Sequence, residues 1–346
     1  MDAAPLYLHT WTLAADSHPT PRLVFQGTAS VLEGATDYTY LPVVLGTNQA
    51  TLAVVPRIFS TTVDASAQAR ASRTVRFELA LRVFQYRPVD EDPAATFVLP
   101  HLTTVTVTPG VAFRLSALDE LTLSTGFETQ YISALQSAPA VAGQPLMVHS
   151  VTGLTVIPGV GWRTSLARHA SLELRAGIAL THLSSAYPID TPSSVTPIGK
   201  VTLDQRLLSL RGTVLQAMLG ASVDYYVDPI LGAATPRGTA MVILSLLCPP
   251  DWSVGFEGYF FSTLQMHATT SGDTTYYPDE VAASVAVPVR HRISDSLTVE
   301  FGGRWADRAP FYSRPGSFIE SFHQRQLWLY VLFAGTSRVS RSVGTP

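Results

Sequence analysis

Strict alternation of apolar and polar residues, sustained over unusually long stretches, constrains this chain more than any other feature. In residues 170–184, Leu172 and Leu174 fall on one side of an extended chain, and Glu173 and Arg175 fall on the other. The same period-two pattern recurs in residues 73–87, 120–131 and 297–306. Strands in ordinary globular proteins average about 5 to 6 residues, whereas a strand that crosses a bilayer needs about 9 to 11. The alternation therefore predicts an all-β chain built from long strands.

Composition excludes several other classes of protein. Charged residues make up 14% of the 346-residue chain, compared with about 25% in an average soluble domain. Apolar residues are abundant at 46%, yet no run of about 18 of them could form a membrane-spanning helix. The net charge of -3 lacks the basic excess of a nucleic-acid-binding protein. The single cysteine, Cys248, excludes a disulfide scaffold and a cysteine-based zinc site.

Short turns and longer polar segments alternate along the chain. The short turns are predicted at residues 116–119, 166–169, 248–251 and 293–296. The longer polar segments are predicted at residues 134–147, 185–201, 267–280 and 307–321. This asymmetry indicates antiparallel hairpins joined by short turns at one end and by loops at the other. We expect about 14 strands, within a range of 12 to 16.

The N-terminal part is less regular. Residues 6–13, 22–32, 38–45 and 50–61 are expected to be strands, and residues 64–72 a polar connection rich in small side chains. The sequence leaves open whether residues 1–72 supply strands to the main sheet, form a plug inside the fold, or form a separate periplasmic segment. We expect residues 1–346 to form one domain that ends in a tail at residues 334–346.

The pattern resembles that of bacterial outer-membrane β-barrel proteins. The resemblance rests on the hairpins within residues 105–131, 151–182, 241–266 and 281–305, and on the last strand, 324–333. It implies a transmembrane, up-and-down antiparallel barrel in the outer membrane, with an apolar face against membrane lipid and a polar lumen. Such proteins often end their last strand in an aromatic residue, and Phe333 fits that role. Because Met1 begins no basic and apolar leader, we expect a mature chain.

The polar faces of the strands supply the expected lumen-lining residues. These are Arg76, Glu78, Arg82, Arg114, Glu128, Arg163, Glu173, Arg175, Glu257, Glu300 and Arg304. They can form a charged constriction that selects solutes, or ion pairs that fill the interior. Their signs are nearly balanced, which favours internal pairing.

One short motif raises the alternative of an enzyme. His182 and Ser184 resemble the His-x-Ser element of outer-membrane lipid A deacylases, in which the histidine is the base and the serine the nucleophile. Asp190 is only a candidate third member, and the asparagine that usually follows the serine is Ser185 here. We therefore expect no catalytic residues, and likewise no metal site and no cofactor.

The main functional prediction is a passive channel or transporter for small solutes, because about 14 strands exceed the eight that side chains readily fill. The first alternative is a structural barrel that binds envelope protein partners through its loops. A lipid-modifying barrel enzyme and a water-soluble β-sandwich are lesser alternatives. No nucleic-acid partner is expected.

Overall fold

The computed structural model describes residues 8–35, 39–45, 48–54, 57–89, 101–136, 148–185, 193–210, 212–227, 234–249, 251–263, 269–271, 274–276, 280–294, 297–310 and 322–333. Every regular element in these ranges is a β-strand. The strands are β1 (Leu8–Thr20), β2 (Leu23–Ala35), β3 (Thr39–Leu45), β4 (Asn48–Val54), β5 (Arg57–Arg70), β6 (Val75–Pro88), β7 (His101–Arg114), β8 (Asp119–Gln136), β9 (Val148–Ala167), β10 (Ala170–Ser185), β11 (Ser194–Leu210), β12 (Thr213–Val227), β13 (Ala234–Cys248), β14 (Trp252–Thr263), β15 (Thr269–Ser271), β16 (Thr274–Tyr276), β17 (Glu280–Ser294), β18 (Leu297–Pro310) and β19 (Phe322–Phe333).

Fifteen of these strands form one antiparallel sheet. Its order is β1-β2-β5-β6-β7-β8-β9-β10-β11-β12-β13-β14-β17-β18-β19, so each strand pairs with its neighbours along the chain. β1 and β19 are the two edges of this sheet, and both run in the same direction. The hairpins β3–β4 and β15–β16 form two separate two-stranded sheets. The predicted up-and-down antiparallel topology is confirmed, with a strand number inside the expected range.

The N-terminal region differs from the expectation in two ways. Residues 64–72 are not a connection, because β5 continues to Arg70 and pairs with β2 on one side and β6 on the other. Small residues do not break this strand, since polar Asp64 and Ser66 still alternate with Ala65 and Ala67. Residues 39–45 and 48–54 form the separate hairpin β3–β4 and do not join the main sheet. β1, β2 and β5 lie in the main sheet, and residues 334–346 lie outside the described ranges.

The two ends of the sheet are unlike each other. The predicted turns 116–119, 166–169, 248–251 and 293–296 each join two paired strands, as expected. We call this the short-turn end. The opposite end, where longer segments leave the sheet, is the long-connection end. Segment 185–201 was expected to be a loop, but residues from Ser194 onward belong to β11.

The two faces of the sheet differ in polarity. Large apolar side chains are exposed on one face, here called the outer face, and include Phe77, Leu79, Leu123, Phe127, Val160, Trp162, Leu174, Ile178, Val254, Phe256, Phe301 and Trp305. The opposite, inner face carries the polar members of the alternation. Contiguous apolar surface of this extent marks contact with protein or lipid. Alternation thus gives the sheet an apolar outside and a polar inside.

Candidate functional site: a polar cavity on the inner face

A cavity of about 830 Å³ lies against the inner face of β5 to β13. Its walls combine charged side chains with threonine, serine and glycine. The charged residues that line it are Arg76, Glu78, Glu120, Arg163, Glu173, Arg175, Lys200 and Asp224. A smaller cavity of about 450 Å³ continues toward the short-turn end and shares Arg76, Glu120 and Arg163 with the first. The polar interior is therefore open along this part of the sheet.

Small residues form the floor of the cavity. Gly110, Ser124, Gly159 and Gly177 lie side by side in one register row across β7, β8, β9 and β10. At Gly177 an added Cβ would lie 2.6 Å from the carbonyl oxygen of Pro158, so β9 and β10 approach too closely there for any side chain. The three glycines and the small serine at these positions leave the space that the cavity occupies.

The next register row carries three cations that face the cavity. Arg76 on β6, Arg175 on β10 and Lys200 on β11 belong to this row, which we call the cation row. Arg175 lies between Gly161 on β9 and Lys200 on β11. Two cations on adjacent strands thus lie directly opposite each other.

Carboxylates from the neighbouring rows compensate two of these three cations. Arg76 donates through Nε to Glu78 at 2.7 Å and through a terminal nitrogen to Glu120 at 2.8 Å. Arg175 pairs through Nε with Glu173 at 2.6 Å. Lys200 forms no ion pair within the described part of the chain. The charge balance apparent in the sequence therefore does not extend to Lys200.

The interior is packed toward the long-connection end. Ile132, Val151, Leu183 and Val227 form a buried cluster there, with Leu102, Tyr225 and Ala234 packed against it. Its members come from β7 to β10, β12 and β13, so inner-face side chains of distant strands meet. This apolar cluster narrows the interior at the long-connection end, beside the polar cavity.

A hydrogen-bond network lies beside the apolar cluster and centres on Glu128. Its carboxylate accepts hydrogen bonds from Thr106 at 2.9 Å, from Gln130 and from the hydroxyl of Tyr225. Several donors thus satisfy one acidic group. Glu128, which the sequence assigned to the lumen, holds strands together here.

The other expected lumen residues lie at several places on the inner face. Arg163 lines the cavity in register between Glu120 and Glu173. Arg114 lies near the short turn, where its Nε donates to the carbonyl oxygen of Ser116 at 3.1 Å. Arg82 pairs with Asp64 at 3.5 Å.

Three more of these residues lie on the later strands. Glu300 is mostly buried and pairs with Arg290. Glu257 and Arg304 flank Ala286 from the two neighbouring strands. The cavity thus gathers five of the residues singled out from the sequence, which are Arg76, Glu78, Arg163, Glu173 and Arg175.

Sequence reasoning missed Lys200 because it assigned residues 185–201 to a loop. Pro197 and Gly199 are typical turn residues, but both pair within β11, opposite Ile178 and Ala176. The available signal was the alternation of Val195, Val201 and Leu203 with Thr196, Lys200 and Thr202, which residues 197–199 interrupt. Glu120 and Tyr225 were also missed, since pairing across strands gives them their roles.

The histidine motif lies on the outer face. His182 and Ser184 are both exposed, and Nδ1 of His182 lies 3.0 Å from Oγ of Ser193. Asp190 lies outside the described residues. The two members of the predicted motif are therefore not joined by a hydrogen bond in the structure.

Within the described ranges, no helix is long and apolar enough to cross a membrane. No cluster of three or more histidine, cysteine or acidic side chains there is arranged to hold a metal ion.

Comparison with known proteins gives structural likeness only. No protein-family profile matches the sequence, and no curated protein matches it. The fold is similar to that of the ferric citrate transporter FecA in its unliganded form, with a TM-score of 0.51 and 8% identity, over 94% of this chain and 55% of that one. CdiB from Acinetobacter baumannii gives a TM-score of 0.49 and 10% identity, over 94% of this chain and 60% of that one.

This chain spans only somewhat more than half the length of the solved structures it matches. At such low sequence identity, the likeness to the ferric citrate transporter shows the fold and nothing finer. Together with the 15-stranded antiparallel sheet, it confirms the fold class expected from the alternation. The chain has the all-β, up-and-down fold of the bacterial outer-membrane β-barrels.

Proposed function

We propose that this chain lies in the bacterial outer membrane and passes small polar solutes passively through its interior. The observation that carries the proposal is the cavity of about 830 Å³ on the inner face, with an apolar outer face behind it. A bilayer offers no hydrogen bonds to a bare strand, so a spanning sheet must present apolar side chains to lipid and keep its polar groups inside. The two faces of this sheet meet that requirement.

The size of the sheet supports transport over a purely structural role. An eight-stranded barrel has an interior just wide enough for side chains to fill. A barrel closed from the fifteen strands would enclose more space, and glycine and serine in the floor of the cavity leave that space open. The fold is similar to that of the ferric citrate transporter FecA, with a TM-score of 0.51, which supports transport in general.

The charged inner-face residues are part of the proposal. The eleven residues expected from the sequence would line the solute path together with Glu120 and Lys200. Most of their charges form pairs, so the walls would be polar and nearly neutral over most of the path. The apolar cluster at the long-connection end would be the narrowest part of that path.

Conductance across a planar bilayer tests the proposal. The folded protein, identified by its heat-modifiable migration on a detergent gel, should give stepwise conductance. Replacing Ser124 with Trp puts a large side chain into the cavity floor and should lower the conductance of single channels. Leu123→Trp is the matched control, because Leu123 is exposed on the outer face of the same strand. Silent bilayers with correctly folded protein would overturn the proposal.

A partner-binding barrel is the second candidate. The observation that favours it is the presence of two hairpins, β3–β4 and β15–β16, that belong to neither edge of the main sheet. Both lie in segments that leave the sheet at the long-connection end. If the folded protein is silent in bilayers, cross-linking from these hairpins in intact cells should yield a discrete adduct with another envelope protein.

A further inference from the structure

We propose that Lys200 and Arg175 form a binding site for a compact oxyanion, such as a phosphate or carboxylate group of a small solute. The site lies within the cavity, so this inference deepens the proposed function and rests on it for how solutes reach the site. It assigns a substrate class: small solutes that carry such a group.

The relationship between the two cations is the first argument. Arg175 and Lys200 lie directly opposite each other on β10 and β11, and both line the cavity. Like charges at directly opposed positions of neighbouring strands destabilise a sheet. An anion bound between them would remove this repulsion, which otherwise lowers the stability of the folded protein.

The unused hydrogen-bonding capacity of the two side chains is the second argument. Glu173 engages the Nε of Arg175, while a guanidinium has five N–H donors in all. Lys200 contributes three donors and forms no ion pair within the described ranges. Donors from two cations thus remain for an acceptor in the cavity.

The surroundings suit a compact ligand. Ser222 lies opposite Lys200 on its other side, and its hydroxyl lies 2.6 Å from that of Thr239. Both hydroxyls line the cavity, and because one of them donates to the other, one hydroxyl proton remains to donate to an oxyanion. Gly161, on the far side of Arg175, adds no side chain that would fill the space. Two cations, one free hydroxyl donor and an open floor therefore lie in one region.

The position of the carboxylates explains why counting charges in the sequence conceals this site. Glu78 and Glu120 both pair with Arg76, at the end of the cation row where Arg70 lies opposite Arg76. At the other end Glu173 pairs with Arg175, and among the described residues no carboxylate pairs with Lys200. The overall charge is balanced, but within the cation row Lys200 is left without an acidic partner in the described part of the chain.

Lys200 is the only lysine in the sequence, which gives a direct test. The folded protein in detergent micelles is treated with a charged N-hydroxysuccinimide ester, and acylation of Lys200 is followed by peptide mass spectrometry. A bound oxyanion occupies the donors of the ammonium group and should slow acylation several-fold. The comparison is inorganic phosphate against chloride at equal ionic strength and pH.

Variants sharpen the result. Arg175→Gln should abolish the protection by phosphate, whereas Arg168→Gln, at an exposed arginine in the short turn between β9 and β10 that does not line the cavity, should leave it unchanged. An equal acylation rate in phosphate and chloride for the wild-type protein would overturn the inference without requiring any variant. Protection that persists fully in Arg175→Gln would also overturn the two-cation site.

Ion selectivity separates this inference from the proposed function. In a potassium chloride gradient, Lys200→Glu should shift the reversal potential toward cation preference, and Arg168→Gln, in the short turn after β9, should shift it little. If phosphate slows acylation of Lys200 but the protein gives no conductance, the proposed channel is overturned and the oxyanion site is supported. If the protein conducts but phosphate does not slow acylation, the channel is supported and the oxyanion site is overturned.

Discussion

The hydroxyl of Tyr225 on β12 donates a hydrogen bond to the carboxylate of Glu128 on β8, although three strands lie between them. In a flat sheet, strands so far apart in the order could not touch, since neighbouring strands are about 4.8 Å apart. The contact therefore shows how strongly this part of the sheet curls. It lies beside the apolar cluster, so a polar and an apolar contact close the interior together.

Removing the Tyr225 hydroxyl should weaken the curled half of the sheet. Hydrogen bonds to charged groups contribute about 1.5–3 kcal/mol, so Tyr225→Phe should lower the free energy of unfolding by about 2 kcal/mol. The midpoint of urea unfolding in detergent micelles measures this change. Tyr131→Phe is the control, because Tyr131 is exposed on the outer face. Equal midpoints for the two variants would contradict the stabilising role of the contact.

Shortening Leu183 should open the narrow end of the interior. Leu183 is 2% exposed and belongs to the apolar cluster, and a buried Leu→Ala change costs about 2–5 kcal/mol. We expect Leu183→Ala to lower stability and to raise single-channel conductance. Leu180→Ala, on the outer face of the same strand, should leave conductance unchanged. A loss of stability with unaltered conductance would show that the cluster does not restrict the path.

A methyl group at Gly177 should impair folding of the β9–β10 pair. Its Cβ would meet backbone atoms at 2.6 Å and 3.2 Å, and backbone cannot move aside as a flexible side chain can. Overpacking of this kind costs about 1–3 kcal/mol. Gly177→Ala should therefore reduce the fraction of heat-modifiable, folded protein. At Gly199 the nearest atom would lie at 3.6 Å, so Gly199→Ala should fold like the wild type.

Acid should weaken the turn between β7 and β8 through Asp119. The hydroxyl of Ser116 donates to its carboxylate at 2.7 Å and, together with Thr164, lowers the pKa of Asp119. Because the pKa of Asp119 is lower in the folded state, its ionised carboxylate stabilises the folded protein fully at pH values above the unfolded pKa of about 3.9. This stabilisation is lost as the pH falls through the lower pKa of the folded state.

The comparison of Asp119→Asn with the wild type isolates this contribution. The variant should be less stable at neutral pH, and the difference between the two unfolding midpoints should shrink as the solution is acidified. A difference that stays constant from neutral to strongly acidic pH would count against the role of the ionised carboxylate.

The outer-face histidine should be dispensable for lipid chemistry. His182 contacts Ser193 and not Ser184, and a nucleophile needs its base within hydrogen-bond reach. His182→Ala should therefore leave the acylation pattern of lipid A unchanged when cells that express the variant are compared with wild-type cells by mass spectrometry. Loss of a deacylated species in the variant alone would revive the enzyme alternative.

The sequence by itself determined the kind of sheet. Alternation is a property of a single strand, because successive side chains point to opposite faces whatever the strand pairs with. Long runs such as 170–184 therefore predict long strands with an apolar and a polar face, and the short turns predict their antiparallel order. Where small or turn-forming residues interrupt the alternation, at residues 64–70 of β5 and 194–201 of β11, the prediction was wrong.

Only the tertiary structure decided which side chains meet. Pairing brings Lys200 opposite Arg175, where no carboxylate of the described strands pairs with it, and the curl of the sheet joins Tyr225 to Glu128 across three strands. Neither relationship follows from the spacing of residues along one strand. Register depends on the backbone hydrogen bonds between strands, and curl depends on the packing of the whole sheet. Which charged side chains line the cavity together is therefore decided only when both are fixed.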